Sequence, residues 1–206
     1  MTKSWLERWR TGRIGWHEER GNRSLRRHWR GSGRRVLVPM CGKSVDLLWL
    51  AGEGNSVTGV ELSEIAVNDF FEENQLHFRQ TDGDRRYEAI DIPVSIVCGD
   101  YFEFDEKGFD AHYDRGALVA LPAGLRGAYA AHTSALLVPD REQLVITLEY
   151  DQDVADGPPF SVAGDEVESY WPGLVQVDAY DDIENCPPKF RDAGLEKMLE
   201  VVWKSS

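Results

Sequence analysis

The segment Val36–Ser63, VLVPMCGKSVDLLWLAGEGNSVTGVELS, constrains the fold more than any other part of the chain. Its apolar run Val36-Leu37-Val38 meets Pro39 and Gly42, which break a strand. A helix is predicted from about Val45 to Glu53. Gly54-Asn55 then turns the chain into a second strand, Val57–Val60, which ends at Glu61. This layout puts a backbone turn beside a carboxylate at adjacent strand ends, where open α/β sheets bind nucleotides. Glu61 lies 19 residues after Gly42, a spacing that suits an acid accepting hydrogen bonds from ribose hydroxyls.

Two phosphate-binding patterns fail in the same segment. Gly42-Lys43-Ser44 looks like the tail of a triphosphate loop, but that loop needs another glycine where Leu37 stands. The dinucleotide fingerprint also fails, because a pyrophosphate needs several bare amides and only one glycine is present. By exclusion the implied ligand is a nucleoside without phosphates, and S-adenosylmethionine fits better than NAD or ATP. The plain alternative is a βαβ unit with a capping turn and no ligand.

With 206 residues the chain is expected to form one domain, residues 1–206, with residues 1–33 as a helical cap. No apolar run approaches the roughly 20 residues that cross a bilayer. Cys41, Cys98 and Cys186 are far apart, which argues against a zinc site and against a disulfide framework. A reducing cytoplasm is the expected location. The net charge of −13 is unevenly spread: residues 1–35 hold 11 of the 23 Lys+Arg and three of the 36 Asp+Glu. That leaves the N-terminal part at +8 and the remainder at −21. So acidic a body repels nucleic acid and anionic membrane. The basic part reads either as a nucleic-acid arm or transit peptide, or as a folded cap on the acidic body. Trp5, Trp9, Trp16 and Trp29 favour the cap.

Residues 3–12 and 22–30 read as short helices joined by a glycine-containing loop. Ser63 is a good N-cap for a helix ending near Asn74. Residues 77–90 read as a hairpin turning at Asp82-Gly83. Further strands are predicted at Val94–Val97, Phe109–Tyr113, Gln143–Tyr150, Leu174–Ala179 and Glu196–Trp203, with a long helix from Pro122 to about Leu137. Strands alternating with helices imply a Rossmann-like α/β fold, mostly parallel and covered on both faces. The last two strands lack a long helix between them, so they should form an antiparallel hairpin at the sheet edge. That feature separates methyltransferase-like sheets from dehydrogenase-like ones.

Several segments carry a closer match. They are W-x-x-x-W at Trp5–Trp9, IGWHE at Ile14–Glu18, His28-Trp29, VLVPMCGKSVDLLWLA, VTGVELSEIAV, CGDYF at Cys98–Phe102, YDRGALVALP at Tyr113–Pro122 and YDQDVADGPPFSV at Tyr150–Val162. In this order they span nearly the whole chain, and it resembles the thiopurine S-methyltransferase family. The resemblance implies a class I methyltransferase with a seven-stranded sheet. It implies S-adenosyl-L-methionine as donor, S-adenosyl-L-homocysteine as product, and a small thiol or related soft nucleophile as acceptor. Carried over by motif, Trp9 should cover the cofactor from the cap, with Trp5 beside it. Met40, where the family usually has leucine, should contact the cofactor near Gly42. Glu61 should hold the ribose, while Cys98, Gly99, Asp100 and Tyr101 should border the adenine. Arg115 should sit near the methionine end, close to the transferring methyl. Trp16 stands where phenylalanine is frequent at the acceptor pocket, with His17 and Pro159 nearby. Lys189 and Arg191 lie where a family arginine faces the acceptor, and either one fits that role.

Methyl transfer is an in-line displacement at a sulfonium carbon, so the protein must align the nucleophile and exclude water. Aromatic faces suit a sulfonium, and Trp5, Trp9 and Trp16 are lid candidates. The acceptor should react as the thiolate. Arg115 and Arg191 are the expected catalytic cations, stabilising an anionic acceptor, since a guanidinium stays protonated. His17 is the other titratable candidate. Competing readings keep the donor but use a metalloid, halide or sulfide anion, or retain the donor site without turnover. An NAD-dependent oxidoreductase is disfavoured by the missing glycines. A monomer acting on a small molecule, without nucleic acid, membrane or metal, is the expected state.

Overall fold

The first strand, β1 (Arg35–Pro39), shows how the sheet is built. Val36 and Val38 pack into one core cluster while Leu37 packs into another, on the opposite face. Period-two alternation with apolar residues on both sides marks a strand covered twice, as in parallel sheets. This computed structural model describes residues 2–80 and 85–205. Helices α1 (Thr2–Arg10) and α2 (Arg23–His28) precede β1. The chain continues as α3 (Asp46–Gly52), β2 (Ser56–Glu61), α4 (Glu64–Glu73), β3 (Phe78–Gln80), β4 (Arg86–Ala89) and β5 (Val94–Cys98). Then come β6 (Phe109–Asp114), α5 (Ala123–Leu136), β7 (Leu137–Glu149), α6 (Gly164–Tyr170), β8 (Leu174–Asp181), α7 (Pro188–Asp192) and β9 (Leu199–Ser205).

The strands form one sheet in the order β3-β4-β5-β2-β1-β6-β7-β9-β8. The five from β5 to β7 are parallel, and β9 and β8 follow as the antiparallel edge pair. The seven strands expected from sequence are thus the contiguous run from β5 to β8. Among the described residues the sheet has nine strands, because the hairpin read at residues 77–90 joins it through β4 on β5. An unpaired edge of β5 offers a row of free backbone groups, and β4 satisfies them. The turn predicted at Asp82-Gly83 lies outside the described residues. Strand β7 starts at Leu137, directly after α5, rather than at Gln143. Its polar first half, with Pro139, hides the strand pattern from sequence.

One face carries α2, α3 and α4, with Leu25, Leu47, Leu50, Phe70 and Phe71 in the core; the other carries α5 and α6, with Tyr129 and Trp171. Ser63 caps α4 by accepting from Ala66 N–H at 3.4 Å. Asn22 caps α2, accepting from Ser24 and Leu25 at 2.8 and 3.1 Å. Among the described residues no helix is long and apolar enough to cross a membrane.

The basic N-terminal segment lies on the acidic body. Arg27 and His28 reach Asp178 at 3.3 and 3.0 Å, and Arg35 reaches Glu106 at 2.7 Å. Exposed pairs of this kind contribute roughly 0–1 kcal/mol each. The larger contribution is apolar: Leu25 and Trp29 are buried in the core against the β1 side of the sheet. Leu25→Ala should therefore lower the unfolding free energy by about 2–5 kcal/mol in urea titrations. A loss under 1 kcal/mol would show that α2 contributes little to the core.

Candidate active site

The turn after β1 is the first structural device of the site. Met40 and Gly42 both adopt left-handed backbone, with φ of 45° and 55°. A Cβ on Gly42 would also stand 3.2 Å from the Trp9 ring, so glycine is needed here for both conformation and space. The turn is held by Glu61 at the end of β2. One carboxylate oxygen accepts from Gly42 N–H and the other from Ser63 N–H, each at 2.8 Å. Burial raises the Glu61 pKa against the pull of these donors. Each oxygen keeps a further lone pair, and Glu61 lies on the wall of a cavity of about 250 Å³.

Around that cavity the fold gathers most of the residues singled out from sequence. Trp5, Trp9, Trp16, His17, Met40, Gly42, Glu61, Gly99, Asp100, Tyr101, Arg115 and Pro159 all line it. Gly99 and Asp100 follow β5, next to β2, so they share the Glu61 side. One Asp100 oxygen accepts from Phe102 N–H at 3.0 Å and shapes a turn there. Trp16 meets Trp5 and Trp9 edge to face, with ring centres 5.1 and 6.0 Å apart. Burial and the nearby Lys43 lower the His17 pKa, so its imidazole is uncharged near neutral pH.

Arg115 follows β6 and is already engaged. It donates to the Trp16 carbonyl at 2.7 Å and pairs with Glu18. The preceding residue, Asp114, builds this corner. Its carboxylate accepts from Ala117 N–H at 2.9 Å and from the Tyr129 hydroxyl at 2.7 Å. Burial pushes the Asp114 pKa up to about 6.

Three expected residues lie off the cavity wall. Cys98 turns its thiol to the Leu62 carbonyl, 3.9 Å away. Lys189 and Arg191 flank Phe190 on α7, and Phe190 is fully buried while both cations are exposed. Neighbours on a helix point about 100° apart, so burying Phe190 turns both cations outward. Lys189 donates instead to the Asp156 carbonyl at 2.8 Å.

Wall residues without a sequence assignment include Glu18, Asp46, Tyr113 and Glu200. Asp46 accepts from the Tyr113 hydroxyl and from Asn22 N–H, both at 2.8 Å. Glu200 accepts from Ser24 at 2.8 Å, from Asn22 at 3.2 Å and from Tyr180. Glu18 sits inside the IGWHE motif, so that motif was its signal. Glu200 stands between Leu199 and Val201 at the apolar start of β9, and an acid among apolar neighbours is its trace.

Comparison with known proteins decides the family. The family model described as Thiopurine S-methyltransferase matches residues 1–206. The chain belongs to that family. A thiopurine S-methyltransferase of Bordetella petrii is 44% identical over 211 residues, covering 97% of this chain and 95% of that relative. One from Pseudomonas fluorescens is 42% identical over 210 residues, covering 97% and 96%. Among solved structures, a Burkholderia thailandensis 1,6-didemethyltoxoflavin-N1-methyltransferase with bound S-adenosylhomocysteine has a TM-score of 0.64 at 21% identity. It covers 100% of this chain and 87% of its own. A TehB-like methyltransferase from Corynebacterium glutamicum has a TM-score of 0.57 at 18% identity, covering 100% and 98%. These likenesses carry the fold.

This family member is a methyltransferase that uses S-adenosylmethionine. The wall chemistry fits that donor: a carboxylate with free lone pairs for a sugar diol, aromatic faces for a sulfonium, and no glycine-rich phosphate cradle.

Glu61→Gln keeps the shape but turns an NH₂ toward one backbone N–H. By calorimetry, binding of S-adenosylhomocysteine should weaken at least about ten-fold, the cost of a lost charged hydrogen bond. Unchanged affinity would place the sugar elsewhere. Asp114 predicts a pH effect. Its folded pKa of about 6 lies above the ordinary 3.8, so its stabilising contribution is full below pH 3.8 and is lost as pH rises through about 6. Unfolding free energy should carry a falling component of about 3 kcal/mol across that window, absent in Asp114→Asn. Identical pH slopes in the two proteins would remove Asp114 as its source.

Proposed function

We propose that this enzyme methylates the sulfur of a small aromatic or heterocyclic thiol. The observation that carries the reading is the Trp5–Trp9–Trp16 cluster walling the cavity together with Pro159. Flat apolar walls suit an aryl ring, and aromatic faces suit the cationic donor. When bound, S-adenosylmethionine supplies a methyl group on positively charged sulfur. Each protein group then has a role that needs no covalent step. Glu61 accepts from the sugar. The tryptophans exclude water and hold the acceptor in line. Arg115, at the end of β6 on the cavity wall, would hold the carboxylate of the donor's methionine end. The acceptor reacts as a thiolate, and heteroaromatic thiols ionise near neutral pH without a strong base. The names of the curated relatives agree with this acceptor class.

The second reading, methylation of a metalloid, halide or sulfide anion, requires a positive acceptor pocket. Lys189 and Arg191 lie off the wall, and Arg115 is paired with Glu18, so the thiol reading is favoured. A cytoplasmic monomer acting without nucleic acid or membrane completes the proposal. Its basis is the acidic body and the absence of an exposed heptad repeat in the sequence.

In a methyl-transfer assay, thiophenols and thiopurines should turn over, while selenite, sulfide and iodide should be poor acceptors. Trp16→Ala should raise the KM for the aryl thiol about ten-fold or more through lost aromatic contact. Turnover of the inorganic anions alone would overturn the thiol reading.

A further inference from the structure

Two residues of α5 support the cavity from behind its walls. Tyr129 and Thr133 are fully buried and stand one turn apart on the same helix face. Each hydroxyl is bonded to a different wall. Thr133 Oγ1 lies 2.8 Å from the Tyr101 hydroxyl, and Tyr101 lines the cavity on the side of Gly99 and Asp100. The Tyr129 hydroxyl donates to Asp114 Oδ2 at 2.7 Å, immediately before Arg115.

Asp114 turns that bond into the shape of a wall. Its Oδ1 accepts from Ala117 N–H at 2.9 Å, and its Oδ2 from Leu118 N–H at 3.2 Å. The segment held this way supplies Arg115, Gly116, Val119, Ala120 and Leu121 to the cavity. It also carries the next wall: the Val119 carbonyl accepts from Phe160 N–H at 2.6 Å, beside Pro159. Among the described residues Tyr129 is the one side chain bonded to Asp114. Behind Tyr129, His112 Nε2 lies 3.5 Å from its hydroxyl, and the Gln143 amide nitrogen lies 3.3 Å from His112 Nδ1. Burial keeps that imidazole uncharged. With the Tyr129 proton given to Asp114, donation runs one way, from Gln143 through His112 and Tyr129 to the carboxylate. A buried chain with its donors and acceptors matched holds one geometry.

We propose that Tyr129 is a positioning residue for the donor: through Asp114 its hydroxyl sets the segment after β6, and with it the hold on the donor's amino-acid end. The proposal rests on the reading of Arg115 as the partner of the donor's carboxylate and adds the residue that aims it. The reach of Arg115 starts from a backbone that Asp114 fixes. Without the Tyr129 hydroxyl, Asp114 keeps its backbone donors but loses its tie to α5. The segment can then shift as one piece relative to Glu61 and Asp100, which stand at the ends of β2 and β5. A small misplacement of a clamp is costly, because binding and transfer both depend on its aim. The sugar and adenine contacts stay in place, with Tyr101 anchored separately by Thr133.

The test compares S-adenosylhomocysteine with 5′-methylthioadenosine, which carries the same nucleoside and sulfur but no amino-acid tail. Both are titrated by calorimetry into the intact chain. Tyr129→Phe removes one oxygen and keeps the buried ring. It should weaken S-adenosylhomocysteine at least about five-fold, as for a lost hydrogen bond to a charged group, and 5′-methylthioadenosine by less than about two-fold. The readout is a ratio within one protein, so a loss common to both ligands cancels. Asp114→Asn tests the same link from its other end and should move the ratio the same way. Tyr101→Phe acts on the adenine side and should leave the ratio unmoved. A ratio unmoved in Tyr129→Phe or in Asp114→Asn, or one moved as far by Tyr101→Phe, overturns the positioning role. Arg115→Ala separates the two readings. If Tyr129→Phe moves the ratio and Arg115→Ala does not, the carboxylate role of Arg115 fails while the positioning by Tyr129 stands.

Discussion

The site depends on one buried carboxylate that bridges two backbone amides. Glu61 joins the left-handed turn after β1 to the start of α4 through Gly42 and Ser63 N–H. An isolated anion in this position would be costly, and burial does raise its pKa. The two amides offset that cost and fix both oxygens. The remaining lone pairs then face the cavity in a set orientation, which is what recognition of a diol needs. A side chain at position 42 would strain this left-handed turn and crowd the Trp9 ring, 3.2 Å from the added Cβ.

That contact also explains why the N-terminal cap belongs to the site. Trp9 packs on Gly42, Trp16 packs on Trp9 and Trp5, and Arg115 reaches across to the Trp16 carbonyl and Glu18. Behind them, Asn22 and Ser24 bond to Asp46 and Glu200. The cap's many positive charges suggest electrostatic attachment, yet most of its ion pairs are exposed and weak. Apolar burial of Leu25 and Trp29, and the buried polar network, hold it in place. Any change that loosens the cap therefore reaches the donor turn through Trp9.

On the proposed function, sheet topology divides the cavity between two tasks. The sugar half is built from neighbouring strand ends of one βαβ unit, β1 and β2, with β5 beside them. The other half draws on the cap, β6 and the antiparallel edge pair. The donor half therefore forms from residues close in sequence. The acceptor half brings together residues such as Glu18 and Glu200, at opposite ends of the chain.

That difference sets what could be read in advance. Local pattern determined the βαβ unit, the missing phosphate glycines, the Ser63 cap, the parallel core and the edge hairpin. Each of these depends on residues within one or two elements. The spacing from Gly42 to Glu61 pointed to the donor site for the same reason. Sequence alone did not determine that Glu61 bonds to Gly42 and Ser63, that Arg115 is held by Glu18, or that Phe190 turns Lys189 and Arg191 outward. It also did not show that the 77–90 hairpin completes the sheet. Those outcomes depend on which surfaces meet when the chain closes. Partners far apart in sequence, such as Glu18 and Arg115, share a bond only because the fold places the cap over the end of β6.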